Sequence, residues 1–228
     1  MHRKLVGIGA LVVGACLMAP AFGAVIVASN AGSTPATAED LTGLYPTEIV
    51  GSLDGMNQND VNMFELDIMQ AFDFSAITVN AGPFGIPDTV LSLFDSNGVG
   101  VYLNDDISPS NTLSCLPSSD AGNPCPTSAM GLGPLNPGIY YLAISRAANY
   151  PVDSMSNEIF SPLDSTDVVG PSNMNPVAGW DGGAYTTPNF DLVNYDIVLT
   201  GTLPEPGTFA LTFAVGLGLL ALRRKRAR

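Results

Sequence analysis

Apolar and polar positions alternate through much of the middle of the chain. In "VNMFELDI", Phe64, Leu66 and Ile68 alternate with Glu65 and Asp67, and in "LVNYDIVLTG", Tyr195, Ile197 and Leu199 repeat the pattern. A period of two is that of a strand buried on one face. Shorter apolar runs, "TEIVGSL", "AITVN", "DTVLSLFD", "VGVYLND" and "GIYYLAIS", read as further strands. Ser96-Asn97-Gly98 joins two of them, and Asn-Gly between apolar runs predicts a hairpin because both residues tolerate positive φ. No segment between Ala24 and Thr202 sustains a helical period, and 24 glycines and 18 prolines punctuate the chain at short intervals. The pattern therefore predicts one antiparallel β-sandwich over about Thr47 to Gly201. Residues 24–46, polar and turn-rich, are expected to form a flexible lead-in. Residues 147–189, with little strand character, are expected to form a long loop segment.

Both ends depart from this pattern. Arg3 and Lys4 precede an apolar stretch from Leu5 to Met18, followed by small residues at Ala19, Ala21 and Gly23. That layout predicts a helical secretory signal peptide over residues 1–23. A buried N-terminal helix is one alternative. Lipoprotein processing at Cys16 is another, opposed by the apolar "LMAPAF" that continues beyond the cysteine.

At the other end, "LPEPGTF" leads into an uninterrupted apolar run from Phe209 to Leu222 and then "RRKRAR". As a helix the run spans about 21 Å, short of the roughly 20 residues of a full membrane span. Snorkelling stems of Arg223 and Arg224 would lengthen it, and Arg223, Arg224, Lys225 and Arg226 would act as a cytoplasmic membrane stop. Pro204 and Pro206 keep the backbone ahead of it extended, the form in which a protease takes its substrate. Recognition motif, apolar tail and cationic stop, over residues 202–228, make the general layout of a removable sorting signal. A permanent single-span anchor is the alternative.

The ends also hold most of the positive charge. Between Ala24 and Pro206 stand all 21 acidic residues and one base, Arg146, a net charge of −20. Such a surface repels nucleic acid and attracts cations, above all Ca²⁺ outside the cell. The only histidine, His2, lies in the signal segment, and the only lysines, Lys4 and Lys225, lie in the two terminal signals. Ser-His-Asp and Cys-His catalysis, histidine-ligated zinc and lysine Schiff bases are thereby excluded from the region between. A catalyst is not expected; carboxylate chemistry and calcium binding remain.

Four candidate features follow. Cys115 and Cys125 bracket the turn-rich "LPSSDAGNP" and predict a local disulfide in an oxidising compartment, stabilising by about 2–3 kcal/mol. Asp88 opens one arm of the predicted hairpin while Asn104, Asp105 and Asp106 close the other, so Asp88, Asp105 and Asp106 should converge as calcium ligands. Solvated turn carboxylates are the alternative, and Asp95 is expected to cap the hairpin loop. Trp180 and Tyr150 are candidates to stack on sugar rings, and Trp180 packed over a sheet edge is the competing reading. A glycosidase would need two carboxylates at a set separation, but with 21 acids such proximity says little.

Two resemblances add to this. "PEPGTFALTFAVGLGLLALRRKR" resembles the PEP-CTERM sorting signal of Gram-negative bacteria, with Pro204, Glu205 and Pro206 as the eponymous triplet. The resemblance implies the secretion machinery and an exosortase as partners. It further implies transient anchoring in the inner membrane, then release to the cell surface or an exopolysaccharide matrix. "DVNMFELDI", "DTVLSLFDSNGVGVYLNDD", "PGIYYLAIS" and "YDIVLTG" resemble bacterial pre-peptidase C-terminal-like domains, which implies a jelly-roll form of the sandwich. Together they imply a structural or adhesive component of biofilm, or alternatively a calcium-dependent polysaccharide-binding module.

Overall fold

The computed structural model describes residues 23–54, 57, 59–79, 88–118, 125, 131–162, 164–182 and 192–204. In chain order the strands are β1 (Ala24–Val27), β2 (Glu39–Asp40), β3 (Pro46–Asp54), β4 (Val61–Ile68), β5 (Ser75–Val79), β6 (Thr89–Asp95) and β7 (Gly100–Asn104). They continue with β8 (Cys115–Leu116), β9 (Gly138–Arg146), β10 (Pro151–Val152), β11 (Val168–Val169), β12 (Gly179–Trp180) and β13 (Leu192–Thr200). Two sheets make the sandwich, one ordered β1-β3-β13-β5-β8 and the other β11-β7-β6-β9-β4-β2, while β10 and β12 form a separate ribbon.

The alternating segments form the strands predicted for them. In β13, Val193, Tyr195, Ile197 and Leu199 point into the core while Asn194, Asp196 and Val198 lie on the other face. Facing them from the second sheet are Phe64, Leu66 and Ile68 of β4, Leu91 and Leu93 of β6, and Leu142 and Ile144 of β9, all fully buried in the same cluster. The hairpin between β6 and β7 also forms, with a different turn. Gly98 N donates to Asp95 O at 2.9 Å, and only Gly98 takes a positive φ, 77°. The loop is thus of the three-residue kind with glycine in the left-handed position, and Asn97 needs no special conformation. Asp95 caps it as expected, its Oδ1 accepting from Asn97 N at 2.8 Å and Val99 N at 3.0 Å.

Three expectations are corrected. The lead-in is part of the fold: β1 pairs with β3, β2 pairs with β4, and both pairings are parallel, so the sandwich is antiparallel only in its other strand pairs. Ile26, Ala28 and Ala31 supply the reason, since each packs against the main core. Of the loop expected over residues 147–189, residues 147–162 and 164–182 are likewise not a bare loop, while 163 and 183–189 lie outside the described residues. Ile159, Phe160 and Val177 are buried with Val61, Met63, Val90, Phe94, Leu103 and Ala143, the residues of β4, β6, β7 and β9 that face away from the other sheet. The six-stranded sheet is therefore covered on both faces. This accounts for the nearly continuous apolar run of β6, whose first six residues are all buried. At the C-terminal end the fold extends past Gly201: Thr202 Oγ1 donates to Pro46 O at 2.7 Å and Gln70 Nε2 to Leu203 O at 2.6 Å.

Of the expected signal segment over residues 1–23 only Gly23 is described; residues 1–22, the apolar run at 209–222 and the basic residues after it lie outside the described residues, as do Glu205 and Pro206. No helix among the described residues is long and apolar enough to cross a membrane.

Candidate metal centre

Antiparallel pairing of β6 and β7 sets Leu91 opposite Asn104, so the residues before β6 and after β7 share one end of the six-stranded sheet. Asp88 stands immediately before β6 and Asp105 and Asp106 immediately after β7. One carboxylate oxygen from each of the three lies within 4.8 Å of the others, as the hairpin geometry predicts.

Asn104 fixes this end of β7. It is fully buried, its Nδ2 donates to Asp106 O at 3.0 Å and Asp167 O at 3.2 Å, and its Oδ1 accepts from Cys115 N at 2.8 Å. A single amide side chain thereby ties the acidic pair to the 164–168 turn and to the cysteine loop. Asp106 N adds a bond to Ser165 O at 2.8 Å. On the other side, Ala147 N reaches Asp88 O at 3.4 Å. The backbone around the three carboxylates is thus held by partners of its own, and the carboxylates are not needed to hold it.

The electrostatics of the cluster are unfavourable as it stands. Asp105 is only 5% exposed and Asp106 only 9%. Asp105 Oδ2 accepts from the Tyr150 hydroxyl at 2.7 Å, while Oδ1 of Asp88, Asp105 and Asp106 are all buried without a hydrogen-bond partner. Burial pushes Asp105 up to about 7, offset in part by the Tyr150 bond and reinforced by repulsion from Asp106 and Asp88. Asp88 is raised to about 6, chiefly by burial and then by Asp106, with Arg146 acting in the opposite direction. Tyr150 is raised as well, by burial and by the Asp105 carboxylate it serves. A hard cation is what such a set of oxygens can accommodate.

The other candidates fall elsewhere. Cys115 and Cys125 are joined by a disulfide, with Cα atoms 5.4 Å apart. Trp180 is partly buried against the second core cluster, and its Nε1 donates to Ser33 O at 2.7 Å. Tyr150, grouped with Trp180 on the sequence as a possible sugar platform, is an anchor in the structure: its N bonds Asp181 Oδ1 at 2.8 Å and its hydroxyl bonds Asp105. Pro204 directly follows Leu203, whose carbonyl accepts from Gln70 Nε2. Glu205, Pro206, Arg223, Arg224, Lys225 and Arg226 lie outside the described residues.

Tyr150 and Arg146 are the contributors that the sequence pattern did not assign to this site. Arg146 carried a signal, being the only base in the acidic region. Tyr150 carried none, because it reaches Asp105 from 45 residues away. No protein-family model matches the chain, and no curated protein matches it.

Proposed function

We propose that this chain is an exported, exosortase-processed component of the cell surface or extracellular matrix, with a structural or adhesive role in exopolysaccharide or biofilm. The observation that carries the reading is the order of three parts at the C-terminal end: Pro204-Glu205-Pro206, an apolar run to Leu222, and the cluster from Arg223. Exosortase and the secretion machinery are the partners, the inner membrane holds the precursor transiently, and the processed protein leaves it.

The described structure is compatible with that use. Among the described residues Leu203 is the last one hydrogen-bonded to the sandwich, so a cut beyond Pro204 spares every contact among them. Counting the long strands and β8, one sheet runs first, eighth, third, sixth and the other second, seventh, fourth, fifth. That order supports a jelly-roll reading of the sandwich, with two interlocked Greek keys. A scaffold role also suits a region that lacks histidine and lysine and so the catalytic routes built on them.

The test is the intact mass of the protein isolated from its host, with C-terminal peptide mapping. A chain ending between Pro204 and Gly207, with or without added mass, is the expected result. A chain still ending at Arg228 would make the tail an anchor and remove the exosortase from the account.

A further inference from the structure

We propose that Asp88, Asp105 and Asp106 bind one Ca²⁺ ion at the end of the six-stranded sheet, beside the 147–182 segment. The inference is independent of how the C-terminus is processed. It starts from distance. Calcium holds oxygens at about 2.3–2.6 Å, so two ligands on opposite sides of one ion are roughly 5 Å apart at most. Three oxygens all within 4.8 Å of one another fit inside a single coordination shell.

Proximity among carboxylates is common on an acidic protein, and burial is what separates this cluster from the rest. Asp105 and Asp106 are more than nine-tenths buried, yet an oxygen on each is also without a hydrogen-bond partner, and Asp88 Oδ1 shares that condition. Buried polar atoms are nearly always satisfied, so an orphaned oxygen on each of three clustered carboxylates calls for a ligand that the protein itself does not supply. A proton on one carboxyl would relieve part of the repulsion and leave the other oxygens unsatisfied. A divalent cation would satisfy all three at once.

The chemistry of the set selects the ion. All three ligands are hard carboxylates, and among the described residues no histidine or thiol stands with them. Soft and borderline metals are therefore poorly served. Three carboxylates can supply from three to six oxygens, which with carbonyls and water reaches the six to eight of calcium. Arg146 offsets part of the charge at Asp88, but three carboxylates against one guanidinium leave the site a net negative charge for a cation to neutralise.

The experiment is thermal unfolding of the full chain with excess chelator and with millimolar Ca²⁺ at matched ionic strength, followed by the fluorescence of Trp180, the only tryptophan. It is paired with calorimetric titration of Ca²⁺ into the wild-type chain. The expected result is a measurable heat of binding and a rise in Tm of about 3–6 °C once free Ca²⁺ is roughly ten times Kd. Asp105→Asn and Asp106→Asn each abolish the rise. Asparagine is close in shape and can still accept the Tyr150 hydroxyl at position 105, so both variants are expected to fold. Absence of heat and of any rise in Tm overturns the proposal. So does an equal rise in both variants, which would assign the effect to general neutralisation of the acidic surface.

Discussion

The Tyr150 hydroxyl donates to Asp105 Oδ2 at 2.7 Å, joining the start of the 147–182 segment to the end of β7. Among the described residues it is the one hydrogen bond to the carboxylate of Asp105. Tyr150→Phe should lower stability by about 1–3 kcal/mol, because it strands a buried carboxylate rather than merely deleting a bond. Urea unfolding of Tyr150→Phe, Asp105→Ala and the double variant is expected to give a coupling energy of at least about 1 kcal/mol. Additive losses would show that the two side chains act separately.

Phe160 tests whether the 147–182 segment belongs to the cooperative core. Its ring is fully buried, with its centroid 6.0 Å from that of Phe94 at an interplanar angle of 59°. Phe160→Ala should cost about 3–5 kcal/mol, the range for emptying an aromatic site in a core. A loss below about 1 kcal/mol would return the segment to the status of a peripheral loop. Gly100 supplies the control, since a Cβ there would lie 2.7 Å from Phe160 Cζ. Gly100→Ala should therefore be destabilising alone and better tolerated in the Phe160→Ala background.

The legible and illegible parts of this fold divide along physical lines. Strands such as β13 and the second half of β4 declare themselves because one face is wet there, and alternation follows from that. The 147–182 segment hides its core residues, because Ile159, Phe160 and Val177 are set among turn formers and its strands are only two residues long. Its counterpart was visible in "TVLSLF" of β6, where loss of alternation marks burial on both faces. The convergence of Asp88 with Asp105 and Asp106 was legible from hairpin geometry alone. Their burial was not, since it depends on chain that packs over them from far along the sequence. Parallel pairing of β1 with β3 was equally hidden, because "AVIV" directly follows the signal-like segment and its partner is not its neighbour in sequence.

Within that segment, Asp153 is the group whose charge should be felt at low pH. Its Oδ1 accepts from Met155 N at 2.8 Å and Asn157 N at 2.9 Å, and its Oδ2 from Asn175 Nδ2 at 2.7 Å. These bonds favour the ionised form, the Asn157 backbone most of all, and lower the carboxyl from 3.8 to about 2. The folded state thus binds a proton less readily than the unfolded one. The stabilisation is fully present above about pH 4 and is lost as pH falls through about 2. Asp153→Asn should be less stable than wild type at pH 6, and the gap in urea midpoint should close on approaching pH 2. A gap that stays constant would mean that shape, not charge, makes the contribution.

Gly201 turns the chain at the end of β13. Its φ of 74° is in the left-handed region, and a Cβ there would stand 2.6 Å from the backbone N and Cα of Phe74 and 2.7 Å from Gln70 O. Its carbonyl accepts from Met69 N at 2.9 Å and Gln70 N at 2.8 Å, closing the end of β13 onto the turn after β4. Neither the dihedral nor the neighbours can give, since all of the crowding atoms are backbone. Gly201→Ala should cost about 2–5 kcal/mol, combining the left-handed penalty with overpacking. A chain cut after Pro206 keeps this corner and the Thr202 and Leu203 bonds, and should unfold within about 0.5 kcal/mol of the uncut chain. A chain cut after Thr200 loses the corner and should fall with the Gly201→Ala variant. If the two truncations were equally stable, residues 201–203 would belong to the tail instead of the sandwich.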